Sequence, residues 1–194
     1  MIGPLPNEFE LLKRCAKGDT GAFGAFVTHY EDTVFNLAYR MLGNREDARD
    51  VTQEVFVRAF RKIREFEGRS SMATWLYSIA VNQAISERRR QGARARSSEV
   101  QMSVLDGDGD DPPYDPPGRE PAPDRRIGDS ETRDRIERAI AELDADHQAV
   151  VVLRDVEGLD YGGISEVLGC SRGTVKSRLH RARLELRQKL RGLL

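Results

Sequence analysis

A chain of 194 residues has room for one domain or two small ones, and its 31 Lys plus Arg against 32 Asp plus Glu leave a formal net charge of −1. Its two cysteines, Cys15 and Cys170, lie far apart and without metal-ligand spacing, which excludes a disulfide framework and fits a reduced, cytoplasmic protein. The start has no basic flank before an apolar run, and no stretch approaches the roughly 18 apolar residues of a membrane span, so neither export nor membrane insertion is expected.

Apart from Pro4 and Pro6, every proline falls between Pro112 and Pro123, so the flanks on either side are free to be almost wholly helical. In the first flank Phe23, Phe26, Val27, Tyr30, Val34, Leu37, Ala38 and Met41 recur on one helical face up to Gly43, and Asn44 is placed to cap a second helix. That helix turns Ala48, Val51, Thr52, Val55, Phe56, Ala59, Phe60 and Ile63 inward. Its outer face opens with Asp47, Asp50, Gln53 and Glu54 and closes with Arg58, Arg61 and Lys62, acids at the N-terminus and bases at the C-terminus as the helix dipole favours. An ordinary solvated surface helix would look the same. Beyond the loop 66–71 a third helix, capped by Ser70 or Ser71, puts Trp75, Leu76, Ile79, Ala80 and Ile85 inward and ends in Arg88, Arg89 and Arg90, with Arg94 and Arg96 extending the basic patch past Gly92.

From Glu99 to Asp124 eight acids face Arg119 alone, and Gly107, Gly109 and Gly118 join the prolines. Such a segment cannot bury enough apolar surface to fold by itself. It is expected to be a disordered acidic linker, 97–128, between an N-terminal domain 7–96 and a C-terminal domain 129–194. A solubilising spacer and a nucleic-acid mimic both account for its acidity.

The last flank has the pattern of a helix-turn-helix. Ile164, Val167 and Leu168 make the apolar side of a short helix, Gly169 supplies a left-handed turn residue, and Ser171 can cap the next helix. There Val175, Leu179, Ala182, Leu186 and Leu190 form one stripe at steps of three and four. At about 100° per residue the residues pointing most directly away are Gly173, Ser177, His180 and Arg181, with Thr174 beside them, where they would meet base edges. Arg172 lies at the helix start, and Lys176 and Arg178 fall on the flanks within reach of phosphates or a guanine edge. From Ser171 to Leu194 eight basic residues face Glu185 alone, a concentrated field for a polyanion. Glycines at 162 and 163, each worth about 1 kcal/mol against Ala in a helix, predict that the first helix starts late or frays.

Taken in order, Asp47-Ala-Arg-Asp50-Val-Thr-Gln53-Glu54-Val-Phe56, then Phe66-Glu67-Gly68-Arg69-Ser70-Ser71, then Thr74-Trp75-Leu76-Tyr77-Ser78-Ile79-Ala80-Val81-Asn82, then the helix-turn-helix, resemble a bacterial RNA polymerase sigma factor of the extracytoplasmic function group over nearly the whole chain. The resemblance implies an all-α fold of two helical domains and a promoter-specificity subunit that is not itself an enzyme and needs no cofactor or metal. It implies that Asp47, Asp50, Gln53 and Glu54 dock on core RNA polymerase. It implies that Phe66, Glu67, Gly68, Arg69, Ser70 and Ser71, with Trp75, Asn82, Arg88 and Arg89, capture the unpaired minus-ten strand. It further implies that Arg172, Thr174, Lys176, Ser177, Arg178, His180 and Arg181 read the minus-thirty-five duplex, that the linker threads through polymerase channels, and that an anti-sigma protein is a partner. Met72 stands where the family usually has an aromatic, Ser86 where an acid is common, and Gly162-Gly163 where acids are usual.

Two other classes compete. A conventional repressor or response-regulator output domain would explain the C-terminus but needs a ligand pocket or phosphoacceptor domain upstream. An enzyme would need a constellation that His29, His147 and His180, in separate elements, do not form. Asp47, Asp50 and Glu54 as metal ligands lack a partnering Glu-x-x-His.

Overall fold

The computed structural model describes residues 8–66, 68, 70–105 and 127–191. All regular structure among them is helical. Helix α1 (Glu8–Ala16) leads into α2 (Thr20–Leu42), α3 (Arg45–Lys62) and α4 (Met72–Leu105); the second group is α5 (Ile127–Ala141), α6 (Ala145–Val151), α7 (Tyr161–Leu168) and α8 (Arg172–Lys189).

The boundaries follow from caps. Asp19 accepts from the Ala22 amide at the start of α2, and Gly43, at φ +74°, closes that helix by donating to the Tyr39 carbonyl. Asn44 then accepts from the Glu46 and Asp47 amides, at 2.8 and 3.4 Å, and so starts α3. Of the two candidates for capping α4, Ser71 takes the role, accepting from the Thr74 amide at 3.1 Å. Helix α1, which has no long periodic run, is tied down by a hydrogen bond from the buried Tyr30 hydroxyl to Glu8.

Helices α2, α3 and α4 pack on one another: Phe26, Val34, Leu37, Val55, Leu76, Ala80 and Ile85 of the expected stripes are buried, Trp75 and Ile79 are half-buried, and Val81 and Ala84, outside the expected stripe of α4, are buried as well. Phe60 departs from expectation. It is 43% exposed and lays its ring edge-on against Phe23, 4.9 Å between centroids, because steps of three and one drift across a helix face by the end of a long run. The expected linker overlaps described helix at both ends. Helix α4 runs through Gly92 to Leu105, since no proline or further glycine interrupts it before Gly107, and α5 begins at Ile127. The remainder, 106–126, lies outside the described residues.

In the second group α6 passes into a π-helical turn, Val152–Val156, whose wide bonds bring the Glu157 amide to the Val152 carbonyl. The two groups touch. Gln148, fully buried, donates to the Arg40 carbonyl at 2.8 Å, and Glu157 accepts from the Tyr77 hydroxyl at 2.8 Å and from Arg40 at 3.3 Å. Buried apolar side chains on both sides, from Phe26 to Ala182, form one continuous cluster. None of the described helices is long and apolar enough to cross a membrane.

Candidate nucleic-acid interface

The helix-turn-helix is assembled as its sequence requires. Asp160 accepts from the Gly163 amide at 2.7 Å and starts α7 at Tyr161, so the glycines at 162 and 163 sit inside a capped first turn and the expected late start does not occur. A cap contributes about 1 kcal/mol, enough to offset much of what one glycine forfeits. Gly162 also leaves room: a Cβ there would stand 3.0 Å from the Arg172 guanidinium. Gly169, at φ +60°, makes the left-handed turn, its amide bonded to the Ser165 carbonyl. Ser171 then accepts from the Thr174 amide at 3.1 Å, and the two hydroxyls pair at 2.9 Å.

With Ile164, Val167, Val175, Leu179 and Ala182 buried, the rotation of α8 is fixed. Gly173, Lys176, Ser177, His180 and Arg181 are exposed on one side, and Thr174 is half-buried beside its cap. The flanking cations are less free. Arg178 pairs with Asp146 at 2.7 Å, Arg183 with Asp155, and Lys189 with Glu142 at 2.8 Å. Lys176 holds its ammonium 5.7 Å over the Tyr161 ring, which also meets the Arg154 guanidinium at 5.1 Å.

On α3 the face opposite the buried stripe carries Asp50, Gln53 and Glu54 exposed, with Asp47 half-buried at the cap. Glu54 pairs with Arg58 one turn on, at 2.9 Å. Val57, 44% exposed, and Phe60 continue that surface with apolar area that periodicity alone assigns inward or leaves unplaced.

The third expected site is divided. Phe66 packs on Trp75, ring centroids 5.3 Å apart, next to the Ser71 cap, and Gly68 has a positive φ of 71°. Asn82 and Arg89 are exposed on α4. Glu67 and Arg69 lie outside the described residues. Arg88 turns away from that surface. Its guanidinium donates to the carbonyls of Ala141 at 2.9 Å and Leu143 at 2.6 Å and to the side-chain carbonyl of Gln148. Burial presses the pKa of Arg88 down, with Asp144 nearby opposing it. Nothing in the sequence near Arg88 signals these acceptors, which lie more than fifty residues away.

Among the described residues, the carboxylates and imidazole close enough to share a cation are Asp144, His147 and Glu185. His147 Nδ1 is 2.6 Å from one Asp144 oxygen and 3.6 Å from Glu185, and the other Asp144 oxygen caps α6. Asp47, Asp50 and Glu54 are not gathered in this way.

The Sigma-70 region 2 family model matches residues 26–94, and the Sigma-70 region 4 model matches residues 133–186. The chain is 34% identical over 190 residues to the ECF RNA polymerase sigma factor SigW of Bacillus subtilis, covering 94% of this chain and 96% of that protein. It is 36% identical to the ECF RNA polymerase sigma factor SigE of Mycolicibacterium smegmatis over 90% of this chain and 65% of that longer protein. In fold it is similar to the sigma factor RpoE of Bartonella quintana, solved in complex with the anti-sigma factor NepR, with a TM-score of 0.67 at 23% identity over 88% of this chain and 97% of that one.

Proposed function

The chain belongs to the extracytoplasmic function group of bacterial RNA polymerase sigma factors, and from that premise we propose how its surfaces divide the work of directing promoter-specific initiation. It binds core RNA polymerase and recognises minus-ten and minus-thirty-five elements, each through its own set of residues. The exposed acids of α3, Asp50 and Glu54 with Asp47 and Gln53, dock on core polymerase. The 66–71 loop, Trp75, Asn82, Arg88 and Arg89 hold the unpaired minus-ten strand, where aromatic stacking and cations are what single-strand capture needs. Arg172, Thr174, Lys176, Ser177, Arg178, His180 and Arg181 read the minus-thirty-five duplex from the major groove.

The observation that carries this division is the open face of α8. Lys176, Ser177, His180 and Arg181 are exposed together on a helix whose rotation is fixed by a cap and three buried side chains. The chain acts as a cytoplasmic, dissociable specificity subunit and catalyses nothing itself; the polymerase makes the bonds. An anti-sigma protein holds it until a signal arrives, and 97–128 links an N-terminal unit, 7–96, to a C-terminal one, 129–194.

Sequencing the transcripts made in vitro by core polymerase with and without this protein tests the reading. Discrete new start sites sharing elements near minus ten and minus thirty-five are expected, and their loss in a His180→Ala, Arg181→Ala double variant. New start sites that survive that variant unchanged overturn the role given to α8.

A further inference from the structure

Asp144, His147 and Glu185 take no part in the surfaces assigned above, yet they bring one imidazole and two carboxylates together between α6 and α8. Asp144 caps α6 and His147 follows at i+3, so their side chains meet on one face. Glu185 comes from α8, on the flank where Arg178, two turns earlier, reaches Asp146.

His147 is the informative member. Its side chain is only 20% exposed, and its Nδ1 is shut off from water without a hydrogen-bond partner among the described residues. The Asp144 oxygen at 2.6 Å is near enough by distance, yet no hydrogen bond forms, and Glu185 at 3.6 Å is too far for one. A buried ring nitrogen left in this way forfeits a hydrogen bond, and its lone pair is what a metal ion takes.

The carboxylates suit that ion. One Asp144 oxygen accepts from the Asp146 and His147 amides at 2.9 and 3.0 Å, which fixes the group and leaves its other oxygen beside the imidazole. Outer hydrogen bonds of this kind orient a metal-binding carboxylate. The cations nearby are engaged elsewhere: Arg88 with the Ala141 and Leu143 carbonyls, Arg178 with Asp146, and Lys189 with Glu142. Among the described residues no lysine or arginine pairs with Asp144 or Glu185. All three donor atoms lie within 4.8 Å of one another. Around an ion bound tetrahedrally at about 2.0–2.1 Å, neighbouring donors stand roughly 3.4 Å apart. Glu185 is already near that spacing from His147, and Asp144 must withdraw by less than an ångström, which its exposed side chain permits.

We propose that Asp144, His147 and Glu185 bind a divalent ion of the zinc class, with water in the fourth position, and that the ion staples the start of α6 to α8. The imidazole nitrogen selects zinc over magnesium or calcium, whose sites are built from oxygen. The staple ties to α6 the helix that carries the exposed Lys176, Ser177, His180 and Arg181. The competing account is that the same three groups share a proton and bind no ion.

The full chain, freed of metal with a chelator, is titrated with Zn2+ alone by calorimetry, and its thermal midpoint is measured with and without the ion. One ion should bind per chain and raise the midpoint, since an ion that binds only the folded chain stabilises it. Loss of an outer partner alone costs roughly 10–100-fold in metal affinity, so His147→Gln, which removes a ligand, should weaken binding by at least about 100-fold and abolish the rise. Asp144→Asn keeps the cap, because asparagine caps as well as aspartate, and Glu185→Gln keeps the shape of a half-buried side chain. Each should weaken binding by about tenfold or more, so the test does not depend on the fold of the His147 variant. Co2+ in place of Zn2+ should give no thiolate charge-transfer absorption, which separates this site from one built on Cys170, and excess Mg2+ should not displace the ion. No saturable binding at micromolar Zn2+, unchanged affinity in the three variants, thiolate absorption, or displacement by Mg2+ overturns the site. Binding at these residues without a rise in the midpoint overturns the staple.

Discussion

Arg181 is exposed on α8, six residues past the buried Val175 and next to the buried Ala182. Among the described residues it has no acid partner, whereas Arg178 and Arg183 on the same helix each have one. Arg181→Ala therefore breaks no ion pair among the described residues, and the thermal midpoint should hold within the roughly 0.5 kcal/mol typical of a neutral surface change. Its effect should fall on DNA. A bidentate guanidinium contact to a base edge contributes about 1–3 kcal/mol of discrimination, or roughly five- to 150-fold in relative affinity. Arg187, also exposed, lies further along the helix and is expected to meet backbone only, so Arg187→Ala should weaken every sequence alike and lower the slope of log K against log salt by about 0.9. Both variants are titrated against a promoter duplex and a scrambled duplex at several fixed salt concentrations. Arg181→Ala should lose most of the preference between the duplexes. If it weakens both by one factor, Arg181 is a phosphate contact and the groove-facing side of α8 is not the one its buried stripe defines.

Asp50→Arg with Glu54→Arg should abolish capture by immobilised core polymerase while the far-ultraviolet dichroism is kept, since both side chains are exposed and only the Glu54–Arg58 pair, worth about 0.3–0.5 kcal/mol, is lost; undiminished capture would remove α3 from the docking surface. Ser171→Ala deletes the cap of α8 and should lower unfolding stability by about 1 kcal/mol in a denaturant titration, with Ser171→Gly costing less; equal stability of the three proteins would mean that the cap bond seen at Thr174 contributes nothing. Burial first, then Glu8 and Glu157 respectively, push the Tyr30 and Tyr77 phenols far above their ordinary range. A raised folded pKa stabilises fully below the unfolded value near 10 and fades above it, so two of the five tyrosines should stay un-ionised, by ultraviolet absorbance, until alkaline unfolding releases them. Five tyrosines titrating together in the folded chain would contradict both environments.

The features legible in the sequence are those that local chemistry determines. The Gly43–Asn44 break, the Gly169 turn and the Ser171 cap each need a particular residue at a particular place, and each is where the sequence puts it. The start of α7 is misread when its two glycines are weighed without the aspartate before them. Helix α1 has too few turns for periodicity to speak, and the π turn before Glu157 leaves no compositional trace. Arg88 shows the harder limit. Its neighbours in sequence place it in a basic patch, while its partners, at 141, 143 and 148, are fixed only by how one group of helices docks on another.

The same limit explains why composition cannot sort a run of cations. Eight basic residues between Ser171 and Leu194 look equivalent in sequence. In the fold three of them meet acids from other elements: Arg178 takes Asp146 of α6, Arg183 takes Asp155 of the π turn, and Lys189 takes Glu142 beyond α5. Exposed pairs of this kind stabilise little, about 0–1 kcal/mol each, so their weight in folding is small. Their weight in recognition is larger, because a cation already facing a carboxylate releases fewer counterions when phosphate arrives. The acids thus subtract charge on the protein-facing flanks of α8 and leave it on the side that carries Lys176 and Arg181. A basic helix that would otherwise attract a polyanion from every direction presents one cationic edge, and that edge is continuous with Ser177 and His180, which can read bases but contribute little to nonspecific attraction.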